Sequence, residues 1–558
     1  MRLAALLFVL PSALPAQQII GTRDSLTARV DSIFRAFDRT DAPGCALGIY
    51  REGEILYARG YGMANLEHGI PITPRTVMDV GSVSKQFTTT AMLMLQREGR
   101  LSLEHPLRRY VPEMPPYAEG ITLRQALNHL GALRDQYTLW ELGFRSFEGP
   151  SDSVDMLRTI TRSAQTNWPV ADRYFYSNAG YALSGQIVYR LTGTTLPRWL
   201  ATNVFQPLGM RDTRVMDDHG APIPNRAQAY SPRGTGYRIA ISLFDGIPGA
   251  GSVHTTVEDF AQWERAWHTG QGIPRDELIV HGRRANDSLI NYALGVNVTT
   301  LRGVRAITHT GSWSGYRAAS YRFPDDGVAV AAFCNVSNAG PDTLVQKVAA
   351  VYLGHRMTPD TIGAWESALT SAAEVPADIG RLRQLAGVWR HERNGEVRRT
   401  RIRADSLMYG LGRGTRLVPI GAGRYRVGRT GTEITFEGPA AAPSVMLVRG
   451  RGGVTRYQRA DLFVPGAAQL ADFAGEYRSD EIETTYTLAP DSGGLALTVH
   501  HRRRQLWEPM YRDAFAGGVG LVEFTRDARG AVNGFVIQSG RVRNLRFTKL
   551  RPGAVADH

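Results

Sequence analysis

The sequence predicts an α+β domain, an antiparallel sheet flanked by helices, followed by two small all-β barrel domains. Two observations lead to this prediction. Helix and strand patterns are mixed over residues 24–356, with helices before and after a run of sheet-like strands. Later in the chain a sequence unit occurs twice: LAGVWRHERNGE begins at Leu385, and FAGEYRSDEIET begins 88 residues later at Phe473. Each copy continues through short alternating strands separated by Gly and Asp turns, which is typical of small barrels.

The elements of the first domain follow from the spacing of their apolar residues. CALGIYREGEILYARGYG predicts a β-hairpin, because two strand-like runs flank the turn at Arg51–Gly53. Ser82 to Arg97 predicts a helix that ends at Gly99. The other predicted elements are the short helices LRQALNHL, YALSGQIVYRLTG and VQKVAAVYLG, and the strands VRAITH, YRAASYRF and VAVAAFCNV.

The first residues are typical of a signal peptide, predicted over residues 1–16. Arg2 is the charged start, an apolar run follows, and Ala16 is the expected cleavage point. We therefore expect an exported protein, periplasmic or secreted, and no later stretch is apolar and long enough to span a bilayer. The predicted domains are 24–356 for the α+β domain, 357–380 for a linker, and 381–462 and 467–551 for the two barrels. A single larger β domain is the alternative to two barrels.

The net charge of +13 is concentrated in the C-terminal third of the chain. Residues 381–558 carry 29 Lys and Arg against 17 Asp and Glu, whereas residues 1–380 carry 36 against 35. A surplus of this kind attracts anionic partners, so the barrels are candidates for binding an anionic cell-envelope polymer. An Arg-rich, solvated β surface is the alternative. An exported chain without a recognition motif is not expected to bind nucleic acid.

Cys45 and Cys334 are the only cysteines, and both lie in apolar, strand-like runs. Export permits a disulfide between them. Two cysteines do not form a disulfide framework, however, so two buried free thiols are the preferred prediction. The sequence shows no Cys/His spacing typical of zinc. We predict neither a metal nor an organic cofactor.

The stretch GSVSKQF holds one of only three lysines in a chain with 62 arginines. Arg keeps its proton at any working pH, whereas a buried Lys can lose its proton and act as a base. Ser82 and Lys85 are three residues apart at a predicted helix start, so the hydroxyl and the amine share one face of the helix. The helix N-terminus also favours negative charge near Ser82. Ser82 is therefore the candidate nucleophile and Lys85 its candidate base.

Two further motifs carry groups suited to catalysis. In RYFYSNAGYALSG, Tyr176 and Asn178 point the same way along an extended segment ahead of a helix. The alternative is a simple turn in which Asn178 caps the helix. His309 ends the strand VRAITH, and Gly311 after it would let a substrate approach closely. The alternative for His309 is a structural role, which is more frequent for a lone histidine beside a strand.

Residues 311–315, GSWSG, match the Gly-x-Ser-x-Gly pattern of a nucleophile turn, with Ser314 as the serine. That pattern requires a strand before it and a helix after it. The following segment, YRAASYRFPDDG, predicts a strand and a turn instead. Ser314 is therefore not the predicted nucleophile.

The order of the motifs resembles that of the penicillin-recognising serine hydrolases, in particular the class C β-lactamase branch. Ser-x-x-Lys is followed by Tyr-x-Asn about 90 residues later and by His-x-Gly on a late strand. The strings GSVSKQFT, YSNAGYAL, QPLGMRDT and TTVEDFAQW agree with this resemblance, which covers roughly residues 24–356. It implies a β-lactamase/transpeptidase-like fold. D-aminopeptidases of this family also carry two C-terminal lipocalin-like β domains, as the repeat suggests here.

The resemblance implies a role for each candidate residue. Ser82 would attack a carbonyl and form an acyl-enzyme, with Lys85 and Tyr176 sharing the work of general base. Water would then release the acyl group. The other implied roles are a hydrogen bond from Asn178 to Lys85 and the substrate amide, orientation of Tyr176 or the substrate by His309, substrate binding by Thr310 and Gly311, and an oxyanion hole formed by the backbone N–H groups of Ser82 and Ser312.

His309 stands where β-lactamases of this type carry Lys, which is similar to the D-aminopeptidases, esterases and related peptidases of the family. We therefore expect a peptidase or amidase acting on D-residue peptides or peptidoglycan fragments. A carboxylesterase on small esters is one alternative, and a non-turnover acyl-binding cell-wall sensor or scaffold is another. Related three-domain enzymes place a C-terminal loop at the cleft, so residues 513–520 are a candidate loop for restricting it.

One stretch departs from the family pattern. NHLGALRD resembles the family's His-Thr-Ser-Gly stretch, but Leu130, Gly131 and Ala132 follow its histidine. The departure leaves the shape of the loop beside the nucleophile open.

Overall fold

The structure is a computed structural model that describes residues 19–144, 152–218, 220–242, 247–392, 395–499 and 502–551. The predicted signal peptide, residues 1–16, lies outside the described residues. The chain forms two compact units. The first comprises Met1–Leu133, Gly149–Arg158 and Pro169–Thr358, and the second comprises Arg134–Glu148, Thr159–Trp168 and Pro359–His558. Among the described helices, none has the length and apolar character needed to cross a membrane.

A seven-stranded antiparallel sheet forms the centre of the first unit, and the hairpin and strand patterns predicted five of its strands. Across the sheet the strands follow the order β1 (Ile19–Gly21), β3 (Glu54–Tyr61), β2 (Cys45–Arg51), β14 (Val328–Cys334), β13 (Tyr316–Phe323), β12 (Val304–Trp313) and β11 (Asn297–Leu301). Because side chains alternate between the two faces of a strand, the long apolar runs of β2 and β14 predict burial on both faces. Both strands are indeed buried almost throughout.

Helices cover both faces of this sheet. On one face, α1 (Ser25–Phe34) and α12 (Pro341–Leu353) pack together over a core that includes Phe34, Leu47 and Val330. On the other face lies α10 (Val257–Thr269), where the Phe260 ring contacts the Phe333 ring edge-on with centroids 5.4 Å apart. An antiparallel sheet between helical layers confirms the predicted α+β class.

The remaining elements of the first unit are short. The strands are β4 (Met63–Asn65), β5 (Ile70–Pro71), β6 (Met78–Asp79), β7 (Arg214–Val215), β8 (Tyr230–Arg233), β9 (Gly236–Ile239) and β10 (Val253–Thr255). The helices are α2 (Lys85–Arg97), α3 (Leu107–Tyr110), α4 (Leu123–Leu127), α7 (Ala179–Thr192), α8 (Leu196–Leu200), α9 (Gln206–Leu208) and α11 (Arg275–Leu278). Helix α6 (Ser153–Thr161) begins in the first unit and ends in the second.

Cys45 and Cys334 form a disulfide, so the prediction of two free thiols is wrong. Strands β2 and β14 are neighbours, and their register places Cys45 directly opposite Cys334. The two sulfurs are 2.08 Å apart, although the residues are separated by 289 positions in the sequence. The pairing of these two distant strands, which brings the thiols together, is not visible in either apolar run.

We expect loss of this disulfide to lower the free energy of unfolding by about 2–5 kcal/mol, because it closes a very long loop in the unfolded chain. The measurement is guanidinium unfolding of the Cys45→Ala/Cys334→Ala variant beside oxidised wild type. Dithiothreitol-treated wild type is the matched control, since it keeps both side chains. An unfolding midpoint that is equal in all three samples would contradict the expectation.

Two closed eight-stranded antiparallel barrels form most of the second unit, which confirms the predicted all-β repeat. The first barrel contains β15 (Gly387–His391), β16 (Val397–Arg403), β17 (Ser406–Tyr409), β18 (Thr415–Pro419), β19 (Tyr425–Val427), β20 (Glu433–Glu437), β21 (Val445–Gly450) and β22 (Gly453–Ala460). The second contains β23 (Gly475–Ser479), β24 (Thr484–Asp491), β25 (Gly494–Val499), β26 (Arg502–Pro509), β27 (Ala514–Gly517), β28 (Gly520–Arg526), β29 (Val532–Ser539) and β30 (Val542–Lys549).

The repeated sequence unit marks the same position in both barrels. A short helix, α14 (Ile379–Gln384) or α15 (Ala467–Asp472), leads into the first strand of each barrel. The aromatic residues of the repeat, Trp389 and Tyr477, are fully buried in the two barrel cores. The repeat is thus explained by one large aromatic anchor in each first strand.

Two pieces of chain from the middle of the sequence belong to the second unit. Helix α5 (Gln136–Leu142) contributes Leu139 and Leu142 to the core of the second barrel. Tyr486 donates its hydroxyl proton to the carbonyl of Leu142 at 2.6 Å. Sequence patterns alone assigned this helix to the first domain.

Two smaller expectations concern the predicted linker, residues 357–380, and the candidate loop, residues 513–520. The predicted linker contains helix α13 (Thr361–Ser371), and its Glu366 forms an ion pair with Arg451 in the first barrel at 2.6 Å. The candidate loop at 513–520 is mostly strand β27 and the tight turn into β28, with Ala514, Phe515 and Ala516 buried. That segment is therefore part of the barrel wall rather than a long loop.

Many of the barrel arginines are engaged in ion pairs. Arg399 and Arg401 both contact Glu508, and Arg526 forms a bidentate pair with Asp513. Such pairs offset part of the positive charge that the composition alone suggested. Binding of an anionic cell-envelope polymer by the barrels stays a prediction.

Candidate active site

Ser82 lies in a single turn of 3-10 helix, Gly81–Ser84, that leads directly into α2. The helix predicted from Ser82 to Arg97 is therefore two consecutive elements. Gly81 has φ +51°, and Asp79 Oδ1 accepts its N–H at 2.6 Å, which fixes the sharp entry into the turn. Lys85 Nζ lies 3.0 Å from Ser82 Oγ, so the predicted nucleophile and base are in hydrogen-bond contact.

Lys85 is completely buried, and three oxygen atoms surround its amine. Besides Ser82 Oγ, Nζ contacts Asn178 Oδ1 at 2.9 Å and the backbone carbonyl of Ala250 at 2.6 Å. An amide or carbonyl oxygen only accepts hydrogen bonds. A neutral Lys85 therefore spends both N–H groups on Asn178 and Ala250, and its lone pair is left for the proton of Ser82.

Tyr176 forms one wall of the Lys85 pocket. Lys85 Nζ lies 5.0 Å from the centroid of the Tyr176 ring. The segment before α7 is irregular, and Asn178 occupies the N-cap position of α7 without a capping hydrogen bond from its side chain. Its amide oxygen contacts Lys85 instead, so the alternative in which Asn178 caps the helix is wrong.

His129 contacts Tyr176 and the residues beside it, although His129 was not among the predicted site residues. Its ring packs against that of Tyr176 with centroids 4.1 Å apart. Phe175 N–H donates to the carbonyl of His129 at 3.0 Å, and Ser177 N–H donates to its Nδ1 at 3.3 Å. His129 adopts φ +61°, an unusual conformation for a residue with a side chain. The loop that departs from the family pattern therefore still has a defined contact with the Tyr176 segment.

The residues after His129 fill the space beside this contact. Leu130 packs with Ile290 and Tyr292 in a small apolar cluster that Tyr176 borders. Gly131 N–H donates to the carbonyl of Gln125 at 2.8 Å. The departure from the family pattern thus replaces polar groups with apolar packing.

His309 is buried at its predicted position on β12, and both of its ring nitrogens have a hydrogen-bonding partner. Its Nδ1 lies 2.6 Å from the carbonyl oxygen of Thr310, and its Nε2 lies 3.0 Å from the hydroxyl of Tyr292. The ring centroids of His309 and Tyr176 are 6.5 Å apart. Burial, followed by the charge of Lys85, lowers the pKa of His309 to about 3. The ring is therefore neutral at any ordinary working pH.

Gly311 lies where two backbone segments approach each other closely, and its predicted role in substrate binding stays a prediction. A Cβ atom on Gly311 would lie 1.9 Å from the carbonyl oxygen of Val80, and one on Gly81 would lie 2.5 Å from the backbone nitrogen of Ser312. The nucleophile turn and strand β12 therefore meet backbone to backbone. This packing brings the Ser312 segment beside the turn that carries Ser82. The oxyanion hole itself stays a prediction.

We expect Gly311→Ala to lower activity by at least about 100-fold, because the new Cβ would push the nucleophile turn away from β12. Rates of Ser82 labelling by a fluorophosphonate probe would measure the loss. Gly340→Ala is the matched control, since no atom lies within 4 Å of the position that its Cβ would occupy. Labelling of Gly311→Ala at the rate of the control would contradict the expectation.

Ser314 lies in the turn between β12 and β13, and Thr310 lies on β12. Ser314 has φ +31° in the turn between β12 and β13, and the next element is a strand. The helix that a nucleophile turn requires is absent there, as the sequence predicted. Thr310 is exposed, and its backbone oxygen contacts His309. Its predicted role in substrate binding stays a prediction.

Ala250 and Tyr292 were missed by sequence reasoning. Ala250 acts through a backbone carbonyl, which no side-chain pattern reveals. Tyr292 lies in the stretch SLINYALGV, whose apolar character suggested only core packing.

Comparison with known proteins places this geometry in a family. The family described as Beta-lactamase matches residues 30–353, more than half of the chain. Penicillin-binding protein 4* of Bacillus subtilis is 27% identical over 294 residues, which cover 49% of this chain and 64% of that protein. The chain thus spans a little under two thirds of that relative. A D-aminopeptidase of Brucella melitensis is 23% identical over 545 residues, covering 91% of this chain and 96% of the relative.

Two solved structures share the fold. The octameric penicillin-binding protein homologue from Pyrococcus abyssi is 18% identical with a TM-score of 0.55, covering 86% of this chain and 98% of its own. The D-amino acid amidase from Ochrobactrum anthropi SV3 is 22% identical with a TM-score of 0.51, covering 60% of this chain and all of its own. With the family match over residues 30–353, these findings show that the chain belongs to the β-lactamase family and is a hydrolase of that family.

Proposed function

We propose that the protein is an exported serine hydrolase that works through an acyl-enzyme on amide bonds of D-amino-acid-containing peptides or peptidoglycan fragments. The observation that carries this proposal is the environment of Lys85 Nζ, within 3.0 Å of Ser82 Oγ and held by two carbonyl acceptors. The D-aminopeptidases that align with 84% to 91% of the chain support the choice of substrate class.

Acylation would begin at Ser82. Its Oγ attacks the amide carbon while Lys85 Nζ accepts the hydroxyl proton, so the two N–H···O contacts of the neutral amine become three around an ammonium ion. Asn178 Oδ1 and the Ala250 carbonyl then stabilise that charge as well as orienting the amine. The negative charge on the carbonyl oxygen would be bound by the N–H groups of Ser82 and Ser312, each worth about 3 kcal/mol.

The second half of the reaction needs a proton donor and a water molecule. The C–N bond breaks when the leaving nitrogen receives a proton, which Tyr176 would deliver and recover from Lys85. Tyr176 is the candidate for this relay because the family resemblance implies that role, and its ring centroid lies 5.0 Å from Lys85 Nζ. Water then attacks the ester of Ser82 by the same route, releasing the acid and restoring the free hydroxyl.

Export is supported by the disulfide between Cys45 and Cys334, since such bonds persist in oxidising compartments. The basic predicted leader points the same way. Fractionation of a tagged chain, with N-terminal sequencing of the mature form, would test the location and the cut after Ala16. A cytoplasmic protein that retains Arg2 would contradict it.

The function is tested by steady-state hydrolysis with wild type and Ser82→Ala. The substrates are D-alanine p-nitroanilide, its L-enantiomer, p-nitrophenyl butyrate and nitrocefin. We expect Ser82-dependent cleavage of the D-anilide in preference to the L-anilide. Ester cleavage without anilide turnover would favour a carboxylesterase. A stable acyl adduct on Ser82 with no turnover of any substrate would favour a sensor.

A further inference from the structure

Both ring nitrogens of His309 have partners of known hydrogen-bonding character. Nδ1 lies 2.6 Å from the carbonyl oxygen of Thr310, which only accepts hydrogen bonds. Nδ1 must therefore carry a proton. In the neutral ring Nε2 is then an acceptor, and the group 3.0 Å away from it is the hydroxyl of Tyr292. Tyr292 must donate its proton to His309.

We propose that Tyr292 is a positioning residue that fixes His309 in the neutral tautomer with its proton on Nδ1. With Nε2 accepting from Tyr292, neither ring nitrogen is available to exchange a proton with the substrate. His309 therefore acts as an uncharged neighbour of Lys85 rather than as an acid or base. This inference rests on the proposed function, because it assigns a role at the same site.

Tyr292 is held firmly enough for this role. It is 2% exposed, and its carbonyl accepts the N–H of Gly282 at 2.9 Å. The His129 ring packs against its ring with centroids 4.4 Å apart, and Leu130 contacts it in the apolar cluster. Burial, followed by the charges that Tyr181 and Tyr176 would carry, raises the pKa of Tyr292 well above its usual value. The hydroxyl therefore stays protonated and remains a donor.

The titratable groups around His309 come from three elements. Lys85 faces it from α2, Tyr292 from the segment before β11, and Tyr176 from the segment before α7. On the neighbouring strand β13, Ser320 lies opposite His309 and brings no charge. Lys85 is the group among these whose charge opposes protonation of His309. The Tyr292 hydroxyl opposes it too, since a hydrogen bond to Nε2 stabilises only the neutral ring.

Protonation of His309 would change the charge of the site. A protonated His309 would place a second cation beside Lys85 and would weaken the hold of Lys85 on the proton of Ser82. Tyr292 keeps that position neutral. Loss of its hydroxyl leaves Nε2 free to take a proton at a higher pH, so the change appears as a shift along the pH axis.

The first test observes the tautomer directly and needs no substrate. Long-range ¹H–¹⁵N spectra of protein labelled at histidine, with the His309 signal assigned by its loss in His309→Gln, report which nitrogen carries the proton. We expect wild type to show the proton on Nδ1 and no protonation of His309 down to about pH 4. In Tyr292→Phe the titration midpoint of His309 should rise by about half to one pH unit, the range that one hydrogen bond supplies. A wild-type spectrum with the proton on Nε2 would overturn the proposal without any variant.

The second test follows catalysis through the rate of Ser82 labelling by a fluorophosphonate probe as a function of pH. On the acidic limb of the profile, Tyr292→Phe should lose labelling at a pH about half to one unit higher than wild type, because a protonated His309 weakens Lys85 as a base. Tyr321→Phe is the matched control, because it loses a buried hydroxyl that donates to Asp342 at 2.6 Å, away from His309. An unchanged profile in Tyr292→Phe, or the same change in Tyr321→Phe, would overturn the positioning role. Wild type that is not labelled at Ser82 would overturn the proposed function instead, and the tautomer test would still stand.

Discussion

Lys85→Arg is expected to slow acylation of Ser82 by about 10²- to 10⁴-fold, the contribution of a positioned general base. The substitution keeps the positive charge but removes the capacity to lose a proton, because a guanidinium stays protonated in proteins. Lys85 is also fully buried against Ser82, Asn178 and Ala250, so the larger planar group does not fit the same three contacts. Labelling of Ser82 by a fluorophosphonate probe, followed by intact mass, measures the effect.

The chain offers a matched control for this substitution. Lys347 is exposed on α12 in the same unit, so Lys347→Arg makes the same chemical change without touching the site. We expect it to label at the wild-type rate. Near-normal labelling of Lys85→Arg would show that charge alone suffices, and the role of Lys85 as base would be wrong.

Much of the site follows from the sequence because its chemistry depends on local spacing. Ser82 and Lys85 meet because a three-residue separation in a helical turn fixes their distance. The contact between Lys85 and Asn178 spans 93 residues, and the family resemblance supplied it rather than any local rule. The nature of His309 as a neutral ring was not predictable, because it depends on the distant hydroxyl of Tyr292 and on burial.

The fold, too, could be predicted only in part from the sequence. Five strands of the main sheet follow from sequence patterns, whereas β1 and β11 were not predicted. Each barrel begins at a recognisable aromatic residue, Trp389 or Tyr477. The disulfide was not predicted, because it depends on the pairing of β2 with β14, which places Cys45 opposite Cys334 although the two strands are far apart in the sequence. The position of α5 in the second unit was not predicted either. Amphipathic spacing shows that a helix has a buried face, but it does not show which part of the protein covers that face.

Glu481→Gln is expected to destabilise the second unit by about 3 kcal/mol, because it leaves a buried arginine without its counter-charge. Arg134, whose side chain is fully buried, forms an ion pair with Glu481, whose side chain is only 12% exposed. Arg134 also donates to the carbonyl of Asn544 at 3.0 Å. For a unit of this size the loss corresponds to a fall in melting temperature of about 6–12 °C. Scanning calorimetry measures it.

Glu483→Gln is the matched control, two residues away in the same unit. Glu483 pairs with Arg162, and both side chains are 36% exposed, so solvent screens the pair. Removing the charge there should cost less than about 1 kcal/mol. Equal falls in melting temperature for the two variants would mean that burial of Arg134 does not set the strength of its ion pair.

The same substitution should separate a structural role of the second barrel from a gating role. Two segments of the second unit, Arg134–Glu148 and Thr159–Trp168, interrupt the first unit. The outer ends of this excursion, at Leu133 and Pro169, lie within a few residues of His129 and Tyr176 in the sequence. We therefore expect Glu481→Gln to keep wild-type labelling of Ser82 well below its melting temperature and to lose it together with the second unit. Labelling that persists through that transition would show that the site does not need the excursion. Simple deletion of residues 381–558 is a poorer test, because it uncovers Leu139 and Leu142 and removes the partner of Arg134. A loss of activity in the deletion variant would then reflect unfolding of this excursion rather than the removal of a gate from the cleft.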